Sequence, residues 1–233
     1  IEAIRRAIDK CGREMILSLS PGPAPIEQHE HLKEHVDMWR ISADFWDEWR
    51  CLKAQFDLCH AWTEGRVNGH WPDADMLPFG RLAKRGPIGE PRWSRFTKDE
   101  HYTLMTLWCI FRSPLMFGGD MPENDDFTLS LLTNDEAIAV NQHSRNGRQL
   151  HHNDRHVVWI ADIPDSCDKY VAAFNISDET EPSQIPVVFA EIGLSSRCGV
   201  RDIWKKENIG IYDRMYSPLL EPHGVSFVRV SPT

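Results

Sequence analysis

The chain has 233 residues, 41% hydrophobic and 26% charged, with a formal net charge of −9. That is enough for one large domain or two small ones with a real core, and it excludes a disordered tail. The acidic balance, with basic residues scattered and not gathered into an arm or stripe, speaks against a nucleic-acid partner, and no run of about 18 apolar residues offers a membrane span.

Apolar residues at Ile1, Ile4, Ala7 and Ile8 predict an amphipathic helix to Cys11, closed by Gly12. The chain enters directly inside that helix, with neither Met nor signal peptide, as expected of a segment from something longer. Residues 15–20 read as a buried strand, and Pro21-Gly22-Pro23-Ala24-Pro25 as a loop, since proline supports neither helix nor ladder. A helix is predicted over 27–36, a short strand over 39–43 ending at Asp44, and a helix over 45–58. Residues 71–77 read as a loop after a short strand. Thr97 and Glu100 form a capping-box signature ahead of a helix through Tyr102, Met105, Leu107 and Trp108. Residues 114–117 read as a strand closed by Gly118-Gly119, with helices at 129–132 and 135–141.

Between His143 and Asp154 Gly, Asn and His replace the helical pattern, which predicts a domain boundary: βα units over 1–145, and an antiparallel β module over 146–233. Its runs are expected at 157–160, 170–175, 185–189, 200–204, 216–220 and 225–230. The first part holds about four strand–helix units, whereas a closed (β/α)8 barrel needs eight and typically about 250 residues. Half a barrel is therefore predicted, with an open α/β sheet as the alternative.

The chemistry-bearing residues cluster at two strand ends. Asp44 follows Trp39 and Arg40 and precedes Trp46 and Trp49; Asp73 and Asp75 stand in Trp71-Pro72-Asp73-Ala74-Asp75-Met76-Leu77. Carboxylates beside indole faces suit a sugar, because the acid can move protons or accept hydroxyl hydrogen bonds while the indole stacks on the ring. By residue type alone, a helix N-cap is the favoured reading of Asp44 and a turn device the default for Asp73-Ala74-Asp75, with calcium as a weaker alternative because the rest of a loop ligand set is missing. Asp73 is expected to hold its own loop through backbone N–H groups, and Asp47 and Glu48 to sit in a first helical turn. Trp108 reads as core, Trp39 and Trp71 as sugar-facing. His31 and His35 lie one helical turn apart, but no H-E-x-x-H order is present, so they and His29 read as solvated helix-face residues. No metal or other cofactor is expected. The six Cys show neither C-x-x-C nor zinc spacing and read as thiols.

In this order, Gly12-Arg13 with a strand ending at Ser18, Trp39-Arg40 through Asp44, the 71–77 loop, Trp108 through Ser113-Pro114-Leu115, Leu132-Thr133-Asn134 to Ile138-Ala139-Val140-Asn141-Gln142, Arg201-Asp202-Ile203-Trp204 and Pro222-His223-Gly224-Val225 resemble the melibiase-type glycoside hydrolases of family 27. That family comprises α-galactosidases and α-N-acetylgalactosaminidases. The 71–77 loop is similar to its W-N-D-P-D-M-L element. The resemblance implies strands 5 to 8 of a (β/α)8 barrel, then a C-terminal antiparallel β-sandwich domain. It implies a retaining α-glycosidase with Asp44 as general acid/base, and a glycoside or oligosaccharide held by Arg40, Asp75, Met76, Ser20, Trp39 and Trp71. Asp44 is expected in a sugar-sized hollow shared with Arg40 and Asp75. The family's nucleophile, an Asp on its fourth strand, would lie before Ile1, in a missing N-terminal half of the same barrel. The resemblance also favours a secreted or periplasmic protein. Ser20-Pro21-Gly22-Pro23-Ala24 stands where the family usually places a polar pair such as Glu-Trp after its fifth strand. That departure admits a different sugar specificity, or a non-catalytic sugar-binding relative.

Overall fold

The computed structural model describes residues 1–85 and 89–233. Helix α1 (Glu2–Cys11) ends at Gly12, whose φ of 68° is the left-handed turn that glycine adopts without strain. Strand β1 is only Ser18–Leu19, and the expected buried strand is not formed: Met15 is 41% and Ile16 73% exposed. The reason is position, since β1 is the edge of its sheet and pairs only with β2. A 3-10 turn (Ile26–Gln28) leads into α2 (His29–His35), followed by β2 (Met38–Arg40), α3 (Trp49–Ala61) and β3 (Trp71–Asp73). β1, β2 and β3 form a parallel sheet, with Leu19 opposite Trp39 and Arg40 opposite Asp73. The strand expected at 114–117 shrinks to one parallel bridge between Leu77 and Phe117. β4 (Arg81–Leu82) and β5 (Arg92–Trp93) pair antiparallel.

Helix α4 (Lys98–Phe111) starts with the predicted capping box: Glu100 N–H donates to Thr97 Oγ1, and Thr97 N–H to Glu100 Oε2. Helices α5 (Asp126–Leu132) and α6 (Asp135–His143) are capped by Asp125 and Asn134 side chains. Among the described residues no helix is long and apolar enough to cross a membrane.

The chain then turns all-β: β6 (Arg145–His152), β7 (His156–Asp162), β8 (Lys169–Asn175), β9 (Ser183–Gln184), β10 (Val187–Val188), β11 (Arg197–Asp202), β12 (Glu207–Asp213), β13 (Met215–Tyr216), β14 (Leu219–Leu220) and β15 (Val225–Pro232). Six of these make one antiparallel sheet in the order β12-β11-β15-β8-β7-β6. β6 occupies the stretch that reads as a boundary, and β12 is absent from the sequence reading. Both are outer strands of the sheet, where polar residues are tolerated because one side of the ladder faces solvent.

Side-chain alternation gives this sheet two apolar faces. Val157, Trp159, Ala161, Ala172, Phe174 and Phe227 join the core of the helices, with Phe174 edge-to-face on Phe56 of α3 and Trp159 on Phe111 of α4. Val158, Ile160, Val171, Ala173, Val228 and Val230 face the other way, onto Ile185, Val187, Phe189 and Tyr216. The short pairs β9–β14 and β10–β13 lie in that second layer.

Candidate active site

Because β1, β2 and β3 are parallel, the residues that follow them emerge at one end of the sheet. Arg40 is the last residue of β2 and Asp73 the last of β3, so Asp44 and Asp75 hang from neighbouring strand ends. Asp75 adopts φ 82°, a left-handed conformation unusual for a non-glycine residue. Its N–H donates to Asp73 Oδ1 at 2.8 Å, and its carbonyl accepts from the Trp108 indole N–H at 2.8 Å. Held this way, its Oδ2 accepts from Phe45 N–H at 2.7 Å and pairs with Arg40 Nη2 at 2.7 Å. One carboxylate thus joins the loop after β2 to the loop after β3.

The Arg40 side chain is buried, and Nη2 also donates to Ser42 O at 3.3 Å. It stands 3.5 Å from Asp44 Oδ1, so its close partner is Asp75 and Asp44 is in looser contact. The Nε of Arg40 is buried with no hydrogen-bond partner. Asp44 is not an N-cap, because α3 begins at Trp49 with Glu48 at the cap. The expected enclosing hollow is not formed by these residues: the Asp44 side chain is 76% exposed, where it was expected to share a cavity with Arg40 and Asp75.

Residues 41–48 form a loop instead of the predicted start of a helix. Phe45 is fully buried against Phe96 and Trp108. Asp47, expected in a first helical turn, lies before the helix with its side chain fully buried. It accepts from Arg92 Nε at 3.2 Å and Nη2 at 2.5 Å and from Arg95 N–H at 2.9 Å. Burial pushes its carboxyl up, but these hydrogen bonds and the Arg92 charge outweigh it and hold the group below the ordinary carboxylate range. The start of α3 is fixed from two loops of the C-terminal β part, the one after β8 and the turn before β15. The Trp49 ring stacks on His223 at 3.6 Å and 14°, and its indole N–H donates to Asp178 at 3.0 Å. His223 Nδ1 donates to the buried Glu100 at 2.7 Å.

The other expected sugar contacts divide. Met76 is half-buried beside Asp75 and packs on Gly118, where a Cβ would come within 2.5 Å of its sulfur. Ser20 is exposed just beyond β1, at the same end of the sheet as Asp44 and Asp75. Trp39 does not face a ligand: it is fully buried and packs at a tilt on Trp62, because alternation along β2 sends its ring to the side opposite Arg40. Trp71 also stays outside the cluster. It lies at the entry end of β3, its ring covered by the Arg112 guanidinium at 4.7 Å. There it lines a separate cavity of about 880 Å³ with Arg66, Arg112, Arg145 and Arg148.

Two residues outside the sequence-derived set belong to the site. Trp108 is core, as expected, but its indole also fixes the Asp75 carbonyl. Asp73 holds the loop and is itself buried, and burial and then the Asp75 charge push its carboxyl up to about 6, against the pull of the Asp75 N–H and Arg40. The Asp-x-Asp spacing marks the pair; nothing in it says that the first acid lies under the second.

Residues 1–143 match the family model described as alpha galactosidase A, and residues 153–230 the one described as alpha galactosidase C-terminal beta sandwich domain. Alpha-galactosidase 2 of Arabidopsis thaliana is 29% identical over 189 residues, covering 79% of this chain and 44% of that protein. A GH27 β-L-arabinopyranosidase from Geobacillus stearothermophilus is 45% identical and superposes with a TM-score of 0.94 over 99% of this chain and 53% of that one. A variant of the same enzyme has been solved in complex with arabinose, with the same identity and TM-score. The chain therefore spans about half the length of these relatives.

Proposed function

The chain belongs to the alpha galactosidase A (melibiase) family of glycoside hydrolases, and from that premise we propose that it supplies the general acid/base of a retaining glycosidase acting on terminal α-galactoside-like sugars. The observation that carries this reading is the Arg40–Asp75 ion pair at 2.7 Å with Asp44 alongside, all at one end of adjacent parallel strands. In a barrel of this kind chemistry is done at that end. The three parallel strands and the Leu77–Phe117 bridge are read as strands 5 to 8 of such a barrel, over residues 1–145, with 146–233 as the β domain. The other strands, and the nucleophile about 5–5.5 Å from the acid that a retaining mechanism needs, come from outside these residues.

In this mechanism Asp44 gives its proton to the leaving glycosidic oxygen as the nucleophile bonds to the anomeric carbon. It then takes a proton from the water that releases the sugar. Arg40 and Asp75, locked to each other, offer a donor and an acceptor to ring hydroxyls at fixed spacing, with Met76 against the ring. A β-L-arabinopyranoside has the ring configuration of an α-D-galactopyranoside without the C6 hydroxymethyl group. The relative at 45% identity and the Ser20-Pro21-Gly22 segment in place of a polar pair support the smaller sugar as substrate.

The test is Asp44→Asn in the full-length protein, assayed on aryl β-L-arabinopyranoside and aryl α-D-galactopyranoside. Turnover is expected to fall by about 10²–10⁴-fold on whichever sugar the parent cleaves. Unchanged turnover removes Asp44 from the mechanism. The exposure of Asp44 favours a second reading, a sugar-binding relative without catalysis; a parent that binds arabinose yet cleaves neither glycoside would establish that reading instead.

A further inference from the structure

We propose that Glu2, His31 and His35 form a site for a divalent transition-metal ion, zinc or cobalt in class, which fastens α1 to α2. His31 and His35 lie four residues apart on α2 and share one face, their rings edge-to-face at 4.5 Å. Glu2, in the first turn of α1, brings a carboxylate to the same place, so that one donor atom from each of the three residues lies within 4.8 Å of the others. The histidine spacing alone gives two ligands. The third comes from a different helix and is visible only in the fold.

Two imidazole nitrogens and one carboxylate oxygen suit zinc or cobalt, with water completing the coordination; calcium and magnesium want oxygen donors throughout. Metal–ligand distances of about 2.0–2.2 Å require the three groups to draw together. Their partly solvated side chains can rotate to do so: Glu2 is exposed, and both histidines are half-buried. The competing contacts are Arg6 on Glu2 at 3.4 Å, a pair between exposed side chains, and Glu34 at 4.0 Å from His35 Nε2, both of which a metal can displace. The cross-link would act where apolar packing is thin, since α1 contributes no buried residue and Arg5–Asp37 at 3.3 Å is an ion pair tying it to the body. The inference is independent of the Asp44 chemistry.

The test is zinc titration of the chelator-stripped, full-length protein by calorimetry, with cobalt absorption as a second readout, on the parent and on His31→Ala, His35→Ala and Glu2→Gln. The expected result is one micromolar site per chain and a melting temperature that rises with zinc. Affinity should fall at least tenfold in each histidine variant and at least threefold in Glu2→Gln. No uptake at about 100 μM zinc overturns the proposal. Uptake of equal affinity in both histidine variants, as thiols of the exposed Cys11 or Cys167 would give, also overturns it. An unchanged affinity in Glu2→Gln removes the three-ligand site.

Discussion

Asp73 shows how one buried acid sets the geometry of its neighbour. Its Oδ1 accepts the Asp75 N–H and so holds Asp75 in a left-handed conformation, from which the Asp75 carboxylate reaches Arg40 and Phe45 N–H. The cost is electrostatic: the Asp73 carboxyl titrates at about 6 in the fold against an ordinary 3.8. A raised acid favours the native state most below its unfolded value, and that contribution is lost as pH rises through the folded value. Asp73→Asn keeps an oxygen acceptor for Asp75 N–H and removes the titration. The variant is expected to match the parent near pH 3, below the unfolded value, and to exceed it at pH 7 by up to roughly 3 kcal/mol. Urea unfolding of both proteins across that range checks it; a constant difference between them would remove Asp73 as the titrating group. The sequence shows Arg40, Asp75 and Asp44 because their residue types and spacing carry chemistry. It misplaces Trp39 and Trp71, since an indole beside a carboxylate in the chain can lie on the opposite face or at the opposite end of the strand.

Among the elements, the loop over 41–48 is the one that pattern reading misses. Trp46, Glu48 and Trp49 look like helix, but Asp47 is captured by Arg92 and Arg95, and Phe45 N–H by Asp75, so the backbone cannot begin its turns before Trp49. Both partners are remote in sequence, which is why local propensity gives no hint of them. Removing one member of a buried pair leaves the other charge uncompensated. Asp47→Ala is therefore expected to destabilise the protein by roughly 3–5 kcal/mol, read from the denaturation midpoint. A change within about 0.5 kcal/mol, the ordinary surface value, would mean that the loop holds itself. Helix α4 is legible because its cap is local, Thr97 accepting a backbone N–H three residues on; Asp125 and Asn134 cap α5 and α6 in the same way, but the pattern reading of α5 starts only at Leu129, three residues late. Strands β6 and β12 are not, because outer strands carry polar residues that read as turns.

For the molecule as a whole, one core runs from the helices into the large sheet, through Phe56–Phe174 and Phe111–Trp159, and a second fills the space behind the sheet. The parallel sheet is different. Strand β1 has an open edge among the described residues, with exposed Met15 and Ile16 beside it. These 233 residues produced alone are expected to self-associate, which light scattering would detect; a monodisperse monomer would refute it. His223 carries a consequence of a different kind. It lies on the turn before β15, far along the chain from Trp49, yet its ring is the platform on which Trp49 rests, next to the loop that bears Asp44. During synthesis the ribosome must deliver the chain through residue 223 before that platform exists. A nascent chain stalled short of residue 223 would lack both that platform and β15 and carry the acid loop unseated, so early termination there would abolish turnover although every residue proposed to touch the sugar has already been synthesised.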